Sequence, residues 1–329
     1  MAIILAPTTP PPLAVLVLRW FNDPDLALRF MAAAGATLQL LIVLAAILAW
    51  RLTEAAAARL YRTWIAGGAR GGAGGRAAGG LVGGAVLLTA GSAILGLIVW
   101  SLADRWRFPA ALPTEWTLAN WQRHLAPLTW PAGTTVVVAV ASAAAALFLA
   151  LGCIENEQRH GLHPSSRGLW LLYLPILVPQ ISFLFGLQVL LVLTGLDGSW
   201  PGLIWSHLLF VLPYVFLSLA DPMRALDERY ARSAMCLGAP PNRVFWRIKL
   251  PMLRRPVLVA FAVGFAVSVA QYLPTLFAGG GRFVTLTTEA VSYAAGADRR
   301  VMAVYGLAQA VLPFLPFAAA LAAPHWRKR

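Results

Sequence analysis

The residue types that most often catalyse reactions or bind metals are few and scattered in this sequence. It holds five histidines and only two cysteines, Cys153 and Cys236. His160 and His163 stand three residues apart, without a cysteine or carboxylate at the spacing of a zinc site. The run 279–281 is glycine, but it lacks the lysine and the serine or threonine of a phosphate-binding loop. We therefore expect no catalytic site, no metal site and no cofactor, and hence no enzyme.

The most informative spacing lies in a basic segment, residues 227–251. A short helix is predicted over 228–237 because Gly238 can end it and the prolines at 240–241 cannot extend it. A second helical piece is predicted over 242–249. The first helix carries small side chains and one methionine at helical spacing: Ala231, Ala234, Met235 and Gly238. Such a helix either lies in a groove of another protein or rests on anionic lipid.

The spacing of this segment resembles the cytoplasmic EAA loop of binding-protein-dependent ABC importer permeases. That motif reads Glu-Ala-Ala, three residues, Gly, nine residues, Ile, one residue, Leu-Pro. Arg232 and Ser233 occupy the positions of the family's Glu and first Ala, so the sequence departs from the motif at its head. The resemblance implies that 231–238 is a coupling helix that docks into an ATPase subunit. The implied coupling residues are Ala231, Arg232, Ser233, Ala234, Leu237, Gly238, Ile248, Leu250 and Pro251.

The composition indicates what kind of protein must position this segment. Of the 329 residues, 59% are hydrophobic and 12% are charged, whereas soluble domains carry about 25% charged residues. The mean hydropathy is +0.71. These values indicate an integral membrane protein and exclude a soluble enzyme or a nucleic-acid-binding protein. We predict an all-α, polytopic transmembrane helical bundle, because a span needs about 20 apolar residues. Seven stretches qualify: 30–50, 80–102, 132–153, 169–193, 203–220, 256–276 and 300–323.

The net charge of +13 is unevenly distributed along the chain. If the predicted spans alternate in direction, most Lys and Arg fall on one side, in 51–79, 154–168, 221–255 and the tail 324–329. Because cytoplasmic loops are enriched in Lys and Arg, this side is predicted to be cytoplasmic. The N-terminus then lies outside and the C-terminus inside. The resemblance implies a multi-pass protein of the bacterial inner (plasma) membrane.

Two parts of the chain, 13–50 and 286–323, show the same order of features. Each has an apolar stretch, then a polar turn, then an alanine-rich span. This echo predicts that 1–50 is the outward loop and last helix of a residual first module. A cytoplasmic Gly/Arg-rich linker, 51–79, would join it to a six-helix permease module at 80–323. The alternative is two unrelated loop-plus-helix pieces. The arrangement resembles the C-terminal part of fused two-module permeases of the thiamine and iron(III) group.

Polar residues inside the predicted spans are the candidates for a translocation path. Ionisable side chains are nearly absent there, whereas proton- or sodium-coupled transporters usually bury Asp or Glu. Ser268 and Gln271 lie one helical turn apart, and Tyr272 follows. These three residues either line the path or form hydrogen bonds between neighbouring helices.

The resemblance implies a function for the whole chain. It implies the permease subunit of an ABC importer, which moves a small solute delivered by a periplasmic or extracellular binding protein. ATP would be bound by the ATPase partner, and a second permease module or copy would complete the path within the lipid. The resemblance does not distinguish among thiamine, iron(III), a polyamine or another small solute as the substrate. The alternatives are a secondary transporter or a channel-like protein without an ATPase partner.

Overall fold

A computed structural model of the chain describes residues 11–21, 23–68, 73–106, 110–162, 165–296 and 298–323. The helices are α1 (Leu13–Phe21), α2 (Leu28–Ala66), α3 (Ala73–Leu102), α4 (Ala119–His160), α5 (Ser166–Leu177), α6 (Gln180–Leu193), α7 (Trp200–Arg224), α8 (Arg229–Cys236), α9 (Pro241–Val244), α10 (Leu250–Met252), α11 (Arg254–Val269), α12 (Leu273–Gly279), α13 (Leu286–Ala295), α14 (Arg299–Val311) and α15 (Phe314–Ala322). A π-helical turn, Phe245–Lys249, joins α9 to α10, and strands β1 (Ala103–Arg105) and β2 (Glu115–Trp116) form a small antiparallel pair. This architecture confirms the prediction of an all-α polytopic bundle.

Five helical stretches are long and apolar enough to cross a membrane. They are α2, the 79–102 part of α3, α4, α7, and α14 together with α15. Two bent pairs raise the count to seven if each pair is one span: α5 with α6, bent by 102°, and the 241–252 segment with α11, bent by 76°. The first bend falls at Val178 and Pro179, where proline interrupts the helical hydrogen bonds. The described chain therefore has five to seven candidate spans, a range that includes the predicted number.

Helix α2 continues well beyond residue 50, where the first span was predicted to end. Alanines 55–58 have the highest helix propensity, and nothing stops the helix before the glycines at 67–68. Its 39 residues correspond to about 58 Å at the usual helical rise, whereas a bilayer core is about 30 Å thick. Because α3 begins at Ala73, most of the predicted 51–79 linker is helical. Residues 69–72 and the tail 324–329 lie outside the described residues, and the division into domains stays a prediction.

Two further boundaries differ from the predicted spans. Helix α4 begins at Ala119, ahead of the predicted start at 132, and continues through Pro127 and Pro131. The predicted span 256–276 is broken after Val269, and α12 starts at Leu273. Pro274 accounts for this break, because proline removes a helical N–H and clashes with the carbonyl four residues earlier.

Helices α4, α7 and α11 form the centre of the bundle. Gly264 of α11 lies so close to its neighbours that a Cβ there would be 2.6 Å from Val215 and 3.3 Å from Ala143. Small residues of this kind let membrane helices approach closely. The same core extends to one end of the bundle, where it includes Phe245 of the π-helical turn. The base of the predicted coupling loop is thus packed into the transmembrane core.

The N-terminal helices α1 and α2 pack against α6, and α1 also contacts α12. Gly35 of α2 faces Val17 of α1, and Phe21 at the end of α1 stacks against Phe277 at 5.1 Å between ring centroids. In both α1–α2 and α13–α14, a short helix leads through a brief turn into a longer one. The internal repeat and an origin by duplication stay predictions.

Candidate functional site

The predicted coupling helix corresponds to α8, which lies at the surface. Every residue of α8 is exposed or half-buried. The carboxylate of Asp227 accepts a hydrogen bond from the backbone N–H of Arg229 at 2.9 Å, at the start of the helix. Helix α8 packs against α9 and the π-helical turn. It is therefore a short helix displayed on its own supporting loop.

A tight backbone turn at Gly238 ends α8, as predicted. Gly238 has a φ of +82°, a conformation that residues with a side chain rarely adopt. Its N–H donates to the Met235 carbonyl at 2.9 Å, and the Ala239 N–H donates to the Ala234 carbonyl at 3.1 Å. These two hydrogen bonds are those of a Schellman motif, which satisfies the last carbonyls of a helix. Gly238, the glycine of the EAA spacing, thus sets the direction in which the chain leaves α8.

The outward face of α8 differs from the predicted stripe of small residues. Ala231 and Ala234 are half-buried, whereas Met235 and Gly238 are exposed. A shallow open depression of about 550 Å³ lies on the exposed side. It is lined by Arg229, Arg232, Ser233, Cys236 and Leu237. These residues recur at helical spacing, so they lie on one face of the helix. This face is basic and points outward. It ends in Leu237, which is 88% exposed.

Arg232, which occupies the position of the family's Glu, has a partner within its own helix turn. Its guanidinium donates to the Glu228 carboxylate at 2.6 Å, and both side chains are mostly exposed. An exposed pair at this spacing contributes only a few tenths of a kcal/mol, about 0.3–0.5. Both groups therefore remain accessible to a partner protein.

The second half of the motif forms the base of the loop. Ile248 and Leu250 are half-buried, and Pro251 is exposed. They lie at the π-helical turn and the short helix α10 that follows it. π-Helical turns are rare and occur frequently at functional sites. This turn directs Lys249 toward the end of α4.

Charged residues at that end of α4 were not predicted as site residues. Lys249 Nζ donates to Glu155 Oε2 at 2.8 Å, and Arg159 Nε donates to Glu155 Oε1 at 2.8 Å. Arg159 also donates to the Asn242 side chain at 2.8 Å. One sequence signal could have indicated this cluster. Glu155 is followed four residues later by Arg159, just after an apolar span. The partner of that carboxylate in the loop, Lys249, is distant in the chain, so the sequence did not indicate it.

The predicted path residues lie in a second polar cluster, inside the bundle. Ser268 is buried, and its hydroxyl contacts Ser142 at 3.1 Å and His207 Nδ1 at 2.8 Å. His207 is 2% exposed, and its Nε2 lies 3.0 Å from the Thr275 hydroxyl. The Thr275 hydroxyl donates to the Gln271 carbonyl, so hydrogen-bond matching assigns the His207 proton to Nε2. The cluster joins α4, α7, α11 and α12.

Gln271 and Tyr272 complete the set of predicted path residues. Gln271 is buried, donates to the His207 carbonyl at 3.3 Å, and its Oε1 has no hydrogen-bond partner among the described residues. Tyr272 is half-buried. Ser268 and Gln271 thus make interhelical hydrogen bonds, the second of the two predicted roles. A translocation path lined by Ser268, Gln271 and Tyr272 stays a prediction.

Replacement of His207 by leucine is expected to destabilise the bundle. It removes both ring hydrogen bonds and leaves the polar groups of Ser268 and Thr275 incompletely satisfied, at a cost of about 1–3 kcal/mol. Thermal unfolding of the purified protein in detergent measures this loss. The exposed His160, changed to leucine, is the control and should leave the unfolding temperature unchanged. Equal stability of the His207→Leu variant and the wild type would contradict the structural role of the cluster.

The remaining metal-ligand candidates form no site in the part of the chain that the structure describes. No group of three or more His, Cys, Asp or Glu side chains is placed there to hold a metal ion. His163, one of the two closely spaced histidines, lies outside the described residues. The prediction of no cofactor stays a prediction.

Comparison with known proteins identifies a family for the C-terminal part of the chain. Residues 165–323 match the family described as "Binding-protein-dependent transport system inner membrane component". This region contains α8, the π-helical turn and every member of the buried polar cluster except Ser142 of α4. The match thus covers the exposed loop and most of the buried cluster.

Individual relatives extend the comparison. The chain is 33% identical to the inner membrane ABC transporter permease protein YnjC of Escherichia coli K12, over 99% of this chain and 58% of that protein. It is 28% identical to the putrescine transport system permease protein PotI of E. coli K12, over 47% of this chain and 57% of that protein. It is 32% identical to the molybdenum transport system permease protein ModB of Mycobacterium bovis, over 51% of this chain and 70% of that protein.

The chain spans somewhat more than half the length of YnjC and PotI. It covers more than two thirds of ModB at 32% identity. The multi-pass helical architecture, the spacing of the exposed loop and these similarities agree. The chain therefore belongs to the family of binding-protein-dependent transport system inner membrane components.

Proposed function

We propose that the chain is the transmembrane permease subunit of an ATP-binding-cassette importer. The observation that carries this proposal is the construction of the 228–251 loop. Its helix α8 presents Arg229, Arg232 and Leu237 outward, while its base packs into the transmembrane core through Phe245. A displayed helix on an anchored base can dock into a partner and pass on the partner's movement. The matched family and the ABC permease relatives support this reading.

The partners follow from the same proposal. An ATPase subunit would bind α8 and hydrolyse the ATP, so this chain would not itself be an enzyme. A binding protein would deliver a small solute on the opposite side, and a second permease module or copy would complete the path. The names of PotI and ModB refer to putrescine and molybdenum, and for this chain we propose a small solute without choosing among them. The excess of basic residues supports a cytoplasmic loop and C-terminus, with the N-terminus outside.

Labelling of Cys236 tests this docking surface directly, because its thiol lies in the depression on α8. In a variant that keeps Cys236 and carries Cys153→Ser, bound ATPase subunit should slow reaction with a large hydrophilic maleimide. We expect a decrease of roughly tenfold or more, since the centre of an interface is sealed from solvent. The rate is measured by mobility shift, with and without the ATPase subunit.

A matched control uses a cysteine at the other end of the bundle. Thr194 is exposed at the end of α6, so a Cys-less protein carrying Thr194→Cys should react at the same rate with and without the ATPase subunit. Unchanged labelling of Cys236 in the presence of the ATPase subunit would contradict the proposal. Solute uptake that proceeds without ATPase would instead favour a secondary transporter or channel.

A further inference from the structure

A buried carboxylate connects the coupling loop to the transmembrane helices. Glu155 lies in the last turns of α4 and is 7% exposed. One carboxylate oxygen accepts from Lys249 and the other from Arg159, each at 2.8 Å. Lys249 and Glu155 are 94 residues apart in the chain. This ion pair therefore joins the base of the loop to a different membrane helix.

Gln158 and Arg159 add further hydrogen bonds to this connection between the loop and the membrane helices. Gln158 Oε1 accepts from Lys249 at 3.0 Å, and Gln158 Nε2 donates to the Met223 carbonyl of α7 at 2.8 Å. Arg159 reaches Asn242 on the other side of the loop. The ends of α4 and α7 thus hold both α9 and the π-helical turn.

The position of α8 depends on these supports. Helix α8 itself is exposed or half-buried along its length and packs against α9 and the π-helical turn. A partner that moves α8 can therefore act on the membrane helices through the short connection 225–228 to α7 and through the 239–253 segment. Within that segment, Lys249 makes an ion pair with Glu155 that is shielded from water, and such a pair is screened by salt much less than an exposed one.

We propose that Glu155 is a positioning residue that, through Lys249, transmits movement of α8 to α4. The proposal rests on the proposed function of α8 as the site where an ATPase docks. The Glu155 carboxylate is the point of attachment on α4. Arg159 holds this carboxylate in position, and Gln158 holds the Lys249 ammonium group. Movement of the loop then displaces α4 and α7 together, and these two helices form the core of the bundle with α11.

Distances between spin labels on the two native cysteines test the positioning role without any partner. Cys153 on α4 and Cys236 on α8 are both exposed. In the full chain in nanodiscs, we expect one narrow distance distribution for the wild type. Glu155→Gln and Lys249→Met should broaden it, and Lys249→Arg, which keeps the ion pair, should leave it narrow. A distribution that stays narrow in Glu155→Gln and Lys249→Met would overturn the proposal.

A double variant separates positioning from simple stabilisation. Glu155→Gln with Lys249→Met leaves neither member of the buried pair as an unpaired charge, and the more exposed Arg159 keeps its hydrogen bond to Asn242. Folding should therefore recover relative to either single variant. If Glu155 transmits movement, uptake per ATP hydrolysed by the assembled importer should remain reduced by about fivefold or more. Wild-type uptake by the double variant would overturn the proposal. Arg51→Gln, which breaks an exposed pair with Glu54, is the control and should change neither measurement.

The two measurements also separate this proposal from the proposed function. If the wild type binds no ATPase subunit, the proposed function fails, and the spin-label distances still decide whether Glu155 positions α8. If the ATPase subunit binds and the distances do not respond to loss of the ion pair, the proposed function stands and the positioning role is wrong.

Discussion

Replacement of Gly238 by valine is expected to abolish most ATP-dependent uptake. Its φ of +82° is unfavourable for any residue with a Cβ and most of all for a β-branched one. A cost of about 1–2 kcal/mol shifts the equilibrium constant for the competent loop conformation by roughly tenfold in the unfavourable direction. A Cβ at this position would meet no described atom within 4 Å, so the effect is one of backbone conformation and not of crowding. Uptake into proteoliposomes that contain the assembled importer measures it.

Gly238→Asn is the matched control for this prediction. Asparagine is close to valine in size but tolerates positive φ far better. The Schellman hydrogen bonds of the Gly238 and Ala239 N–H groups can then persist. We expect Gly238→Asn to retain most of the uptake. Equal activity of the valine and asparagine variants would show that the direction set by Gly238 is unimportant for transport.

Replacement of Gly264 by leucine is expected to prevent formation of a stable bundle. A Cβ at Gly264 would lie 2.6 Å from Val215 Cγ2 and 3.1 Å from Val211 Cγ1 on α7, and 3.3 Å from Ala143 on α4. Even Gly264→Ala must push these helices apart, at a cost of about 1–3 kcal/mol, and the leucine side chain is far larger. The measurement is the yield of monodisperse protein on size exclusion in detergent, followed by thermal unfolding.

Gly133 provides the control for Gly264. It is exposed in the first half of α4, and a Cβ there would meet no described atom within 4 Å. Gly133→Leu therefore adds the same side chain to a helix of the same core without crowding a neighbour. We expect the Gly133→Leu variant to show the same yield and thermal stability as the wild type. Normal folding of Gly264→Leu would show that α4, α7 and α11 do not require their close approach at this point.

Some features of the chain could be predicted from local patterns in the sequence. The apolar stretches predicted membrane helices, because the bilayer requires long apolar segments whose backbone groups are satisfied within the helix. The end of α8 at Gly238 was also predicted from a local pattern. Glycine at positive φ and the prolines that follow it act on their immediate neighbours. The spacing from Gly238 to Leu250 and Pro251 was sufficient to indicate the family.

Helix boundaries were predicted less well. Helix α2 extends through residues expected to form a linker, because alanine-rich sequence continues a helix whether or not a membrane surrounds it. The span expected over 256–276 ends early, since Pro274 interrupts the hydrogen bonds of the preceding turn. Hydropathy identifies where a chain can enter lipid, but the backbone hydrogen bonds decide where the helix stops.

The sequence by itself determined the membrane class, the distribution of basic residues and the spacing of the predicted coupling loop. These depend on composition, periodicity and spacing, which are local properties of the chain. The tertiary structure decided which face of α8 points outward, that Lys249 pairs with Glu155, and that Ser268 and Gln271 bond to the helix of His207. The partners in these contacts lie tens of residues apart or more. Only the packing of α4, α7 and α11 brings them within hydrogen-bonding distance.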